Sequence, residues 1–161
     1  MPPTIDLGPD PLALDRQVCF ALSLASRSVI AIYRPLLEPY GLTHPQYLVL
    51  LALWDRSPRT VRDLAETLRH EPATLSPMLK RLEALGYLTR ARSTRDERAL
   101  AVDLTDKGRE LRKEAEKIPY RVVEELGMAL SELEELHAAL SRVLAATSPA
   151  QKTPGATSPV S

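Results

Sequence analysis

Two short apolar-patterned segments, a tight connection and an alternating hairpin are compressed into residues 60–104, and this leaves the chain few folds to choose from. Val61, Leu64, Ala65 and Leu68 recur at three- and four-residue steps behind Thr60, a good helix N-cap. The stretch Arg69–Pro72 makes the connection. Leu75, Met78, Leu79, Leu82 and Leu85 then mark the core side of a second helix that closes at Gly86. An extended segment from Tyr87 to Arg92, a polar tip from Ser93 to Arg98 and an alternating run from Ala99 to Leu104 predict a β-hairpin. Two short helices followed by such a hairpin predict a winged helix-turn-helix, mainly α with a small β-hairpin wing.

The flanks read as helix. Leu14, Val18, Leu22, Ala25, Val29 and Ile32 predict a first helix from about Leu12 to Leu37, bent or ended by Pro35. Thr43 caps a second, through Trp54, that is apolar on nearly every side and therefore central. After the hairpin, Thr105 caps a long helix that Pro119 should kink. Leu126, Leu133 and Leu140 form one heptad series, and Leu130, His137 and Leu144 a second, an apolar stripe suited to another chain. The expected organisation is a disordered arm over residues 1–10, dimerisation helices over 11–42 and 105–147, a DNA-binding domain over 43–104 and a disordered tail over 148–161. The longest uninterrupted apolar run, Tyr47 to Trp54, is far short of the about 20 residues of a membrane span. The opening MPPTIDLGPD holds two acids and no Lys or Arg, unlike a secretory leader, so a cytoplasmic location is expected.

Net charge is zero, with 21 basic and 21 acidic residues, yet the charges are segregated. Residues 56–98 hold ten basic side chains and six acidic ones, while both flanks carry net negative charge. Nine of the ten are arginine, whose planar fork suits phosphates and guanine edges. On the second short helix, Ala73, Ser76, Pro77, Lys80 and Ala84 fall opposite the core side, with Thr74 and Arg81 on the margin. Small, hydroxylated and cationic, that face suits close approach to a major groove. Pro77 would break a mid-helix hydrogen bond, so Thr74 is the expected cap, with the proline in the first turn. Arg92, Arg95 and Arg98 lie at or beside a tip narrow enough for a minor groove, and Asp96 is expected to hold Arg98 in place. The predicted DNA-contacting set is therefore Thr74, Ser76, Pro77, Lys80, Arg81, Arg92, Arg95, Asp96 and Arg98.

The order of elements, the stretch TLSPMLKRLEALGYLTR and the DER tip closely resemble the MarR family of winged-helix regulators, over roughly residues 12–146. The resemblance implies a homodimer joined through its N- and C-terminal helices and bound to a pseudo-palindromic double-stranded operator. QVCFAL, the run YRPLLEPYGLTHPQYLVLLALW and the pair Ile118–Pro119 further resemble the organic-hydroperoxide-sensing OhrR branch, one-cysteine type. That resemblance implies a sensor at Cys19, oxidised by an organic hydroperoxide to a sulfenic acid, after which the dimer releases DNA and repression is relieved. Tyrosine hydroxyls from the dimer mate support the sulfur in that branch. Tyr33 matches one of them, and His44 stands where the branch has another. Ser23 replaces a further tyrosine, and His70-Glu71-Pro72-Ala73 departs from the branch's recognition segment. Histidine can donate a hydrogen bond and, when protonated, favours a nearby thiolate.

Cys19 is the only cysteine, so an intrachain disulfide is excluded. Its oxidised form would stay a sulfenic acid, form a mixed disulfide with a small thiol, or over-oxidise. A second reading is a regulator of the same family controlled by a small aromatic or acidic ligand, with Cys19 a bystander. An enzyme is not expected: no Cys-based catalytic motif, metal-ligand cluster or Gly-rich phosphate loop is visible, and no cofactor or metal is called for.

Overall fold

The computed structural model describes residues 8–96 and 98–148 and divides the chain into two compact units, one through Glu125 and one from Leu126. The first unit opens with a 3-10 turn, Leu14–Arg16, followed by α1 (Val18–Leu37). Next come a 3-10 turn over Glu38–Tyr40, α2 (His44–Asp55), β1 (Arg59–Thr60), α3 (Val61–Leu68) and α4 (Pro72–Ala84). The hairpin β2 (Leu88–Arg92) and β3 (Leu100–Leu104), then α5 (Asp106–Ala115) and α6 (Ile118–Leu126), complete it. In the second unit the described helix is α7 (Leu130–Thr147).

The core forms around α2, as its all-round apolar character requires. Tyr47, Val49, Leu50 and Leu53 are buried there. They meet Leu64 and Ala65 of α3, Leu75, Leu79 and Leu82 of α4, and Val102 and Leu104 of β3, all of them buried. The Gln46 side chain accepts the Thr43 N–H at 3.0 Å, satisfying one donor at the start of α2. The caps at Thr60 and Thr105 form as expected, accepting the N–H groups of Asp63 and Gly108 at 3.1 and 3.0 Å. Gly86 takes φ +81° just past α4, the left-handed conformation that a helix stop favours. The hairpin pairs Leu88 with Leu104, Arg90 with Val102 and Arg92 with Leu100. A strand the sequence did not announce, β1, adds to the other edge of β3, giving the order β1-β3-β2. Two residues are too few to show a period of two.

Four expectations need correction. The first helix begins at Val18 rather than near Leu12, because Gln17 is extended and its amide donates to the carbonyls of Pro11 and Ala13. The recognition-type helix α4 begins at Pro72, with Glu71 as the cap, so Thr74 lies inside its first turn and Pro77 is the sixth residue. Pro72 supplies a pre-set φ where no N–H partner is needed, and that outweighs the one hydrogen bond Pro77 forfeits. The long C-terminal helix is three helices: α5 ends before the Pro119 ring would meet a carbonyl four residues back, and Gly127 turns the chain at φ +61°. The Leu126 series therefore crosses a break, whereas Leu130, His137 and Leu144 share α7. Finally, one stretch, Val18–Tyr40, is long and apolar enough in composition to cross a membrane. Its serines, arginines and prolines interrupt every apolar run, which hid it from a search for uninterrupted runs.

Apart from Leu37, α1 buries nothing among the described residues. Val18, Leu24 and Ile30 stand exposed on it, as Leu130, Leu136, Val143 and Leu144 do on α7. Of the arm expected over residues 1–10 and the tail over 148–161, residues 1–7 and 149–161 lie outside the described residues.

Candidate nucleic-acid interface and sulfur site

On α4, Leu75, Leu79 and Leu82 turn inward, while Thr74, Pro77, Lys80 and Arg81 are exposed and Ser76 is half-buried. The same surface continues to the wing, where Arg92, Arg95, Asp96 and Arg98 are exposed. A crevice lies between the two, with Thr60, Ser76, Arg90, Asp96, Arg98 and Leu100 in its walls.

The tip is folded by its own polar groups. Ser93 Oγ accepts the N–H groups of Arg95 and Asp96 at 3.2 and 3.3 Å. The Ser93 N–H donates to the Ala99 carbonyl at 2.8 Å. Asp96 does position Arg98, but through the backbone: its carboxylate accepts the Arg98 N–H at 3.0 Å, which leaves the guanidinium outward. A carboxylate two residues before an N–H closes such a turn readily, whereas the guanidinium lies too far along its own stem. Glu97 lies outside the described residues.

The ten cations of the basic module divide into two groups. Arg56 and Arg59 pair with Asp63, Arg62 with Glu66, and Arg90 with Glu83. Arg69, Lys80, Arg81, Arg92, Arg95 and Arg98 make no ion pair among the described residues and lie on the surface. Arg59 is spent inside: its buried fork donates to Asp63, to the Ala52 carbonyl and to Thr67 Oγ1, tying α2 to α3. That bond holds the Asp63 carboxyl below the usual range. Arg59 lies in β1, ahead of the Thr60 cap, so its pairing with Asp63 is not the helix-face pattern that spacing announces. The Glu83–Arg90 pair spans a helix end and a strand, so spacing carries no signal for it.

Cys19 is exposed and lies in the first turn of α1, where the N–H groups of Val18, Cys19 and Phe20 have no acceptor within the helix. Tyr33 and His44 come together at the other end, with ring centroids 4.8 Å apart and edge-on. Tyr47 joins them at 5.7 Å from Tyr33, and Trp54 lies 6.3 Å from Tyr47. Cys19 and Tyr33 are fourteen residues apart on one helix, about 21 Å at the α-helical rise. One chain thus brings the two residues expected to support the sulfur to each other but not to Cys19. Burial raises the Tyr33 hydroxyl's pKa, and burial followed by the nearby Tyr33 raises that of Tyr47. Burial lowers the pKa of His44, which favours its neutral form. Its support for a thiolate would then be a hydrogen bond, not a charge. A separate cleft, lined by Leu51, Trp54, Pro119 and Tyr120 together with Asp55, Arg112 and Glu116, opens beside α2.

Comparison with known proteins follows the same lines. Residues 31–115 match the family described as transcriptional regulator SarA/Rot. The organic hydroperoxide resistance transcriptional regulator of Bacillus subtilis is 39% identical over 135 residues, covering 84% of this chain and 92% of that one. The regulator TtmR of Methylorubrum extorquens is 45% identical over 123 residues, 76% of this chain, and the match spans 63% of its length. Among solved structures, reduced AbfR bound to DNA superimposes with a TM-score of 0.68 at 33% identity, over 83% of this chain and 94% of that one. A MarR transcriptional regulator from Methanosarcina mazei superimposes at 0.70 with 25% identity, over 79% and 93%.

Proposed function

Because this chain belongs to the MarR-type winged-helix family of DNA-binding transcriptional regulators, we propose that it is a homodimeric repressor whose operator binding is released when an organic hydroperoxide oxidises Cys19. In this reading each α4 enters a major groove through Thr74, Ser76, Pro77, Lys80 and Arg81. Each wing sets Arg92, Arg95 and Arg98 against the neighbouring minor groove, with Asp96 shaping the tip. The six unpaired cations supply the charge neutralisation. Action on an operator would place the protein with chromosomal DNA, in the cytoplasm. The domains follow: residues 43–104 bind DNA, and the helices within 11–42 and 105–147 join the two chains.

The observation that carries the peroxide reading is the setting of Cys19. Its sulfur is exposed at a helix end whose free N–H groups favour negative charge, on a helix with its apolar side chains uncovered. The thiolate attacks the peroxide oxygen, the O–O bond breaks, and the alkoxide leaves and takes a proton as the alcohol. Sulfur gives up two electrons and becomes sulfenic acid. A mixed disulfide with a small thiol can follow. In the dimer, Tyr33 and His44 of one chain serve the sulfur of the other. Added polarity and bulk there shift the two DNA-binding domains out of register with the half-sites. The Bacillus subtilis relative, an organic hydroperoxide resistance regulator, favours the same oxidant.

Fluorescence anisotropy on the DNA upstream of the gene, with cumene hydroperoxide and a cellular thiol added, tests this reading. Wild type should release the DNA, Cys19→Ser should hold it, and a reductant should restore binding. Retention by both proteins would overturn the peroxide reading. The cleft beside α2 favours a second reading, since Tyr47, Leu51, Trp54, Pro119 and Tyr120 in its walls, beside Arg112, Asp55 and Glu116, suit a small aromatic ligand. Release of Cys19→Ser by a benzoate-type acid would establish it.

A further inference from the structure

The Arg90 guanidinium belongs to the basic module by sequence but does not face outward. Its Nη2 and Nε donate to Glu83 Oε2 at 2.7 and 3.0 Å, and its backbone N–H donates to Glu83 Oε1 at 3.0 Å. The Arg90 side chain is 21% exposed, against 88% for Arg62 in its surface pair. Glu83 is the penultimate residue of α4, and Arg90 is the middle residue of β2, paired with the buried Val102 of β3. All three bonds therefore join the end of the recognition helix to the root of the wing. The root is also packed through the buried Leu88, Val102 and Leu104, and the clamp adds a polar tie aimed at α4, which β1, two residues long on the far edge of β3, does not supply. Arg90 also lines the crevice that has Ser76 of α4 on one side and Arg98 of the tip on the other.

We infer that Glu83 and Arg90 are positioning residues for DNA binding: their clamp fixes the wing-tip arginines relative to the groove-facing side of α4, so that both surfaces engage one duplex together. The inference rests on the reading of α4 and the wing as the DNA-contacting surface. An unclamped wing would have to be ordered at the moment of binding, at a cost to affinity. The clamp also has a sign that plain electrostatics lacks. Removing an acid beside DNA should tighten binding, whereas removing a positioning acid should weaken it.

The test is a binding cycle on a fluorescein-labelled duplex that wild type selects from a random-sequence pool. Glu83→Gln should weaken binding about tenfold, the scale of losing one charge-assisted contact, and Arg90→Lys should act in the same direction. The slope of log affinity against log salt should fall, because wing cations disengage. In an R95A/R98A background Glu83→Gln should cost nothing more, since no tip remains to be placed. A purely structural role would give the same loss in both backgrounds. Equal loss in both, or an E83Q protein that binds as well as wild type or better, overturns the clamp. If wild type enriches no duplex, the DNA-face reading itself falls and takes this inference with it.

Discussion

His44 shows how one substitution in a family pattern changes chemistry without changing position. It occupies the first residue of α2, packs edge-on against Tyr33, and burial lowers its pKa. The unfolded chain protonates this imidazole first as pH falls through about 6.5, so native stability should decline below that pH. Thermal unfolding between pH 7.5 and 5.5 should show the decline in wild type and a flatter profile in His44→Phe. Asp63 and Glu83, with carboxyl pKa values lowered by Arg59 and Arg90, add their loss only further down, below about pH 4. At this scale the sequence was an uneven guide. Leu75, Leu79 and Leu82 of α4 were readable, because core residues repeat with the helix, while Met78 and Leu85, expected beside them, are half-buried. Which arginines point outward was not, because pairing with Asp63 or Glu83 depends on tertiary neighbours.

Proline placement decides the elements. Pro72, Pro119 and the Thr43–Pro45 start sit in first turns, where a missing N–H is harmless. Pro77 does not, because the Ala73 carbonyl loses its helical donor there. Pro77→Ala should therefore stabilise the fold by about 2 kcal/mol, read as a raised denaturation midpoint. An unchanged or lowered midpoint would mean that α4 is already adapted to the ring. The elements missed or misplaced share a cause. The start of α1, the two-residue β1 and the division after α5 all depend on local hydrogen bonds or chain turns that hydrophobic periodicity does not encode.

For the whole molecule, the informative feature is surface left uncovered. The first unit has a well-filled core around α2, yet α1 buries only Leu37, and the second unit's α7 buries no residue. Helices this apolar and this exposed call for a partner, and a second copy is the proposed one. Sedimentation should give a dimer at micromolar concentration. Leu136→Asp with Leu144→Asp should give a folded monomer whose operator affinity falls at least about a hundredfold, since one half-site alone remains. A dimer that survives both changes would place the interface elsewhere. The winged-helix architecture was readable because its hairpin, caps and two amphipathic faces agree with one another. The interface partner was not readable, since periodicity marks an apolar stripe but not what covers it.

The separation of Cys19 from Tyr33 along one unbroken helix has a genetic consequence. If each sensor draws its sulfur from one chain and its phenol from the other, a defect in either residue spoils both sensors of a pure dimer. A mixed dimer of Cys19→Ser and Tyr33→Phe chains still builds one complete sensor from the two unmutated residues. Two alleles that are each blind to peroxide should therefore complement when co-expressed, restoring part of the induced response. Alleles that both alter Cys19 should never do so.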